Sequence, residues 1–145
     1  MPDVRWIEDE RGLHGIVVDP RWPTKPYVYV QYTSDLAPEI HISRFTVTGD
    51  LSFTGNGKLA IDPASRYDVI TQLPDFSPNH NGGTLRFGPD GMLYSRSRRG
   101  RQHVRGQDLT SCSARSSVLD VRSLPAGPGG PPASRRSRRP TTRSS

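Results

Sequence analysis

The sequence predicts an all-β fold, and three observations point to it. Short runs rich in valine, isoleucine, tyrosine and threonine recur through the first 94 residues, separated by Gly, Pro and Asp turns. No window carries the 3.6-residue apolar period of an amphipathic helix. All eleven aromatic residues lie at or before Tyr94, which confines the material for a core to that part of the chain. Several short strands at close spacing describe a meander of the kind that builds a sandwich, a barrel or a propeller blade.

Taken in order, Gly15 to Asp19 (G-I-V-V-D) is a β-branched run stopped by Asp19-Pro20. Tyr27 to Thr33 (Y-V-Y-V-Q-Y-T) alternates aromatics with valines and reads as a strand throughout. Ile40 to Thr48 follows and ends at Gly49-Asp50, and Tyr67 to Leu73 is the next run. Thr84 to Phe87 and Met92 to Tyr94 are joined by G-P-D-G, a hairpin turn.

Charge divides the chain. Residues 1–94 hold 8 Lys+Arg against 12 Asp+Glu, a net of −4; residues 95–145 hold 12 Arg, no Lys and 2 Asp, a net of +10. A segment with no aromatics, high net charge and abundant Arg, Ser, Pro and Gly buries too little apolar surface to order itself. The expected division is an ordered part, 1–94, and a largely disordered basic tail, 95–145. The single cysteine, Cys112, has no partner for a disulfide within the chain and says nothing of compartment. No apolar run reaches membrane-spanning length, so no membrane partner is expected. The start M-P-D-V-R-W-I-E-D-E lacks the basic-then-apolar pattern of a secretion signal, which makes the cytoplasm the expected location of the chain as written.

Of the four histidines, His41 alternates with Ile40 and Ile42 and reads as a sheet-face residue; His14, at a strand entrance, reads as packing; His103 belongs to the tail. His80 differs, because Asn79, Asn81, Gly82 and Gly83 place it in a polar, glycine-loosened loop just ahead of a strand. An imidazole titrating near pH 6.5 suits proton transfer near neutrality. Spacing alone leaves a catalytic base and a satisfied loop histidine equally open. The glycine pair lacks a following helix and a G-K-[ST] sequence, which gives nucleotide binding little support. No two His, Cys or carboxylate residues stand at zinc-ligand spacing. Glu8, Asp9 and Glu10 form either a solvated turn or a substrate-facing carboxylate cluster. The arginine runs 98–101 and 134–139 fit nucleic-acid binding by charge, but no aromatics accompany them for stacking, and arginine without lysine is odd for a selected basic tail.

Four stretches taken together, E-R-G-L-H-G-I-V-V-D-P-R-W, P-Y-V-Y-V-Q-Y-T, I-S-R-F-T-V-T-G-D and N-H-N-G-G-T-L-R-F-G-P-D-G-M-L-Y, resemble consecutive motifs of the glucose/sorbosone dehydrogenase family, the soluble quinoprotein sugar dehydrogenases. The resemblance implies a partial β-propeller, about two blades of a six-bladed one. It implies an oxidoreductase that uses pyrroloquinoline quinone (PQQ) and calcium to oxidise the C1 hydroxyl of aldose sugars. His80 then falls on the family's catalytic base, which removes the hydroxyl proton while the C1 hydride passes to the quinone, with calcium polarising the acceptor carbonyl. Asn79 stands where some relatives have Asp beside the base, and Glu10 falls near a position that can face the substrate. His14 occupies a place usually taken by Leu, which favours packing. The cofactor clamps and calcium ligands belong to blades not identifiable in these residues, so the chain is expected to be inactive alone. Relatives are typically periplasmic or secreted.

Two further expectations follow. Exposed sheet edges on either side of two blades favour self-association, or a non-catalytic interaction module. In the tail, Gln107 to Ser111 and Leu119 to Pro132 fit the family while the stretches between them do not. In G/C-rich codons, reading Cys112 to Val118 and the residues from Ser134 one base earlier, and Ser97 to Gly106 one base later, restores family-like strings. We therefore read the tail as frame-shifted by single-base insertions or deletions. That explains arginine without lysine and argues against a nucleic-acid partner.

Overall fold

The computed structural model describes residues 4, 11–35, 39–55, 57–75, 83–98 and 114–130. Among them are seven strands and no helix: β1 (Leu13–Val18), β2 (Tyr27–Thr33), β3 (Glu39–Thr48), β4 (Ala60–Pro74), β5 (Gly83–Phe87), β6 (Leu93–Arg98) and β7 (Ala114–Leu119). They form a four-stranded sheet in the order β1-β2-β3-β4 and a three-stranded sheet in the order β5-β6-β7, with every pairing antiparallel. The all-β expectation holds, and two packed antiparallel sheets are what a β-propeller-like fragment requires. Tyr27–Thr33 coincides with β2, whereas β4 begins at Ala60 rather than Tyr67.

β2 is buried along its whole length, so the first sheet is covered on both faces. Val28, Val30 and Tyr32 point one way and join Val4, Phe45 and Val47 in one cluster, closed by Trp22 and Leu51. Tyr27 and Tyr29 point the other way and join Ile42, Leu85, Leu93 and Val121. Alternate side chains of one strand thus enter two cores, the period-2 rule at work. The second sheet seals the face carrying Tyr27 and Tyr29, with the Tyr29 and Phe87 rings edge-on at 5.3 Å. Each large apolar side chain so buried contributes about 1.5–3 kcal/mol.

Order does not end at Tyr94. β6 continues to Arg98, and β7 pairs with it from Leu93↔Leu119 to Arg98↔Ala114. Residues 121–130 then turn back onto the first sheet. The expectation of disorder is corrected for 95–98 and 114–130. The physical reason is that a segment poor in apolar residues can order when a neighbour supplies the core. Leu119, Val121 and Leu124 need only cover an aromatic face that already exists, and β6 satisfies the β7 backbone. Residues 99–113 and 131–145, with His103 and Cys112, lie outside the described residues.

Candidate functional site

Glu10, Asn79 and His80 lie outside the described residues. What the structure gives are the two ends of the stretch carrying Asn79 and His80: Asp75, just after β4, and Gly83, the first residue of β5. Both ends meet where β1 and β3 begin and β2 and β4 end. Arg11 Nε donates to Asp75 Oδ2 in an ion pair that leaves the aspartate side chain fully buried. His14 Nε2 lies 2.8 Å from the Thr33 hydroxyl. Burial pushes the His14 pKa below the ordinary imidazole value, partly offset by the negative charge of Asp75. His14 is accordingly a neutral, hydrogen-bonded group beside the loop's first anchor, a more polar role than packing alone.

The second anchor rests on Gln31, whose side chain is fully buried. Ser95 Oγ donates to Gln31 Oε1 at 3.0 Å, which orients the amide. The amide nitrogen has no hydrogen-bond partner, and it lies flat against Gly83: a Cβ there would sit 2.3 Å from Gln31 Nε2. Glycine lets β5 start this close to β2 without displacing the Gln31 amide. His41 sits in β3 as expected, edge-on to Tyr32 at 5.6 Å. Its 3.6 Å approach to the Glu39 carboxylate is ion-pair range but too long for a hydrogen bond.

The opposite end of the sheets is differently charged. Asp19 is buried; burial alone would raise its pKa, but hydrogen bonds from the Arg21 side chain and backbone, the Arg21 charge and the Tyr29 hydroxyl hold it below the usual carboxylate range. Asp120 repeats the arrangement with Arg122, whose side-chain and backbone hydrogen bonds pull it down to about 2. Asp19, Arg21, Phe87, Asp90 and Arg122 border a cleft of about 310 Å³. A separate apolar cleft of about 480 Å³, lined by Val18, Trp22, Val28, Val47, Phe53 and Ile61, opens on the face of the first sheet away from the second. Among the described residues no three His, Cys, Asp or Glu side chains gather as a metal site.

Sequence reasoning passed over Gln31, and it passed over Arg44, a fully buried guanidinium between the rings of Tyr27 and Tyr67. A signal was present for each. Gln31 is the one amide inside Y-V-Y-V-Q-Y-T, and Arg44 the one charge inside I-S-R-F-T-V-T.

The family model described as Glucose / Sorbosone dehydrogenase matches residues 1–120, past Tyr94 and through β7. Hedgehog-interacting protein of Mus musculus is 32% identical to this chain over 91 residues, and that of Homo sapiens equally so. The matched stretch covers 59% of this chain and 12% of each of those proteins.

Proposed function

The chain belongs to the glucose/sorbosone dehydrogenase family, and from that premise we propose that it carries the proton-accepting part of an aldose-oxidising site, with His80 as the base for the C1 hydroxyl. The observation that supports this reading most is the convergence of Asp75 and Gly83 on one end of the paired sheets. There Arg11 holds Asp75, His14 bonds Thr33, and Gln31 lies against Gly83, all in polar, buried or part-buried contacts. Both described ends of the stretch that carries His80 are held at the sheet, and proton transfer demands a positioned base. Asn79 and Glu10 are the accompanying substrate contacts in this proposal.

PQQ with calcium would supply the hydride acceptor in a complete family site. The described residues do not fit that pair: they form no metal-ligating cluster, and Arg11, the cation at this end, is already bonded to Asp75. Our reading is a partial site, in which the chain alone turns over no aldose. With added PQQ, calcium and an aldose, no reduction of an electron acceptor is expected; turnover that disappears in His80→Ala would overturn the claim of inactivity. The role of His80 is tested by grafting residues 76–83 into an active family member. The graft should keep activity, and His80→Ala within it should lower kcat by about 10²–10⁴-fold. A graft indifferent to that substitution rules His80 out.

A second reading rests on the likeness to proteins named for interacting with hedgehog. In it the paired sheets are a binding module, and the edge of β7 facing away from β6 accepts a strand from another chain. Concentration-dependent oligomers by light scattering would support an exposed pairing edge; a monomer at all concentrations counts against it.

A further inference from the structure

After Leu124 the chain leaves the second sheet and lies along the first. Asp68 N donates to Gly129 O at 2.7 Å and Gly129 N donates to Arg66 O at 3.0 Å, a parallel bridge between Tyr67 and Gly129 on the outer edge of β4. Arg44 reaches the same segment from within the sheet. Its guanidinium lies 4.3 Å from the Tyr27 ring centroid and 4.8 Å from that of Tyr67, and its Nη2 donates to Pro125 O at 2.7 Å and Gly127 O at 3.2 Å. A guanidinium 2% exposed, held by two rings and two carbonyls, is an anchor built for a backbone rather than for an acidic side chain.

We infer that the β4 edge and the Arg44 pocket form a peptide-binding groove for an extended Pro/Gly segment, filled here by the chain's own Pro125–Gly130 and able to take the same motif from another chain. The recognition is readable position by position. Pro125 and Gly127 offer carbonyls to Arg44, and Gly127 has φ +88°, in the left-handed region. Gly129 lies under the Tyr67 ring, where a Cβ would come within 3.3 Å of it. At Gly130 a Cβ would sit 2.9 Å from Asp68 O, so any side chain there pushes the segment off the strand. Main-chain hydrogen bonds supply the adhesion and the glycines supply selectivity, the logic of strand addition to a sheet edge. The segment is separable in principle because its hold is backbone and one side chain, while Val121 and Leu124 anchor the preceding turn in the core.

The test uses the full chain and a labelled octapeptide of residues 123–130, Ser-Leu-Pro-Ala-Gly-Pro-Gly-Gly. Wild type should bind it weakly, because the tethered copy competes at an effective concentration on the order of millimolar. Gly130→Val should expose the groove and raise peptide affinity at least about tenfold; adding Arg44→Ala should remove that gain, as should alanine at the three peptide glycines. A folded Gly130→Val chain with no saturable peptide binding overturns the inference. Hydrogen exchange of wild type decides independently of any variant. The Asp68 and Gly129 amides should exchange by local opening, ahead of Val28 and Val30 in β2; exchange of all four at one common rate overturns it as well.

Discussion

The two sheets use the same antiparallel pairing but bury their strands in opposite styles. In the first, β2 is inaccessible on both faces, with Val28, Val30 and Tyr32 in one core and Tyr27 and Tyr29 in the other. In the second, Leu85, Leu93 and Ser95 turn inward while Thr84, Arg86, Tyr94, Arg96 and Val118 stand exposed. The first sheet carries the buried aromatic residues of both cores, to which the second adds only the partly buried Phe87, and the second has an inner face only because the first presents Tyr27 and Tyr29 to it. A strand with few apolar residues, β7, orders on that borrowed surface. The lesson is that composition measures what a segment can bury by itself, whereas folding depends on what it can help to bury.

That asymmetry can be broken at its joints. Arg44→Ala should have the largest effect, since it removes two charge-assisted hydrogen bonds from the first sheet to residues 125–127 and two cation–π contacts within that sheet. A loss of about 3 kcal/mol in urea unfolding is expected. Arg66→Ala, removing a part-buried pair with Asp68 and a 5.8 Å approach to the Tyr32 ring, should cost less, about 1 kcal/mol, and serves as the comparison. Equal losses for the two would deny Arg44 its joining role.

Gly83→Ala should come next, at about 1–3 kcal/mol, because the new Cβ meets the Gln31 amide. Combining it with Gln31→Ala should recover most of that loss in a double-mutant cycle; strictly additive losses would show that the two residues do not press on each other. Ser95→Ala leaves Gln31 Oε1 unpaired in the interior and should cost about 1 kcal/mol.

The smallest effect is a pH dependence. The folded pKa of His14 lies below its unfolded value of 6.5, so the unfolded chain binds the proton more readily. Stability is therefore full above about pH 6.5 and declines as pH falls below it through the folded pKa. Urea midpoints between pH 7.5 and 5.0 should drop more for wild type than for His14→Leu. An identical drop in both assigns the dependence to other groups.

Much of this was legible beforehand. Y-V-Y-V-Q-Y-T announced β2 by alternation, whereas the loop reading of N-H-N-G-G falls on residues 79–82, outside the described residues, and only Gly83 is seen, as the first residue of β5. β7 was not legible, because its order depends on pairing with β6 and on a core supplied by residues far earlier in the chain. Gln31 and Arg44 stood out as the one amide and the one charge in their runs, but what they meet was not legible. The partner of Gln31 is 64 residues away at Ser95, and that of Arg44 is 81 residues away at Pro125. No local pattern encodes an encounter at that separation.

The sequence by itself determined the strand character of β1 to β6, the charge division of the chain and the family motifs, because each depends on side-chain alternation or on neighbours a few positions apart. Tertiary structure alone decided that order runs past Tyr94, that a side chain at position 83 would meet the Gln31 amide, and that a buried arginine ties the first sheet to residues 125–127. Those outcomes depend on which surfaces meet, and two surfaces meet only when the whole chain has found the arrangement that buries both.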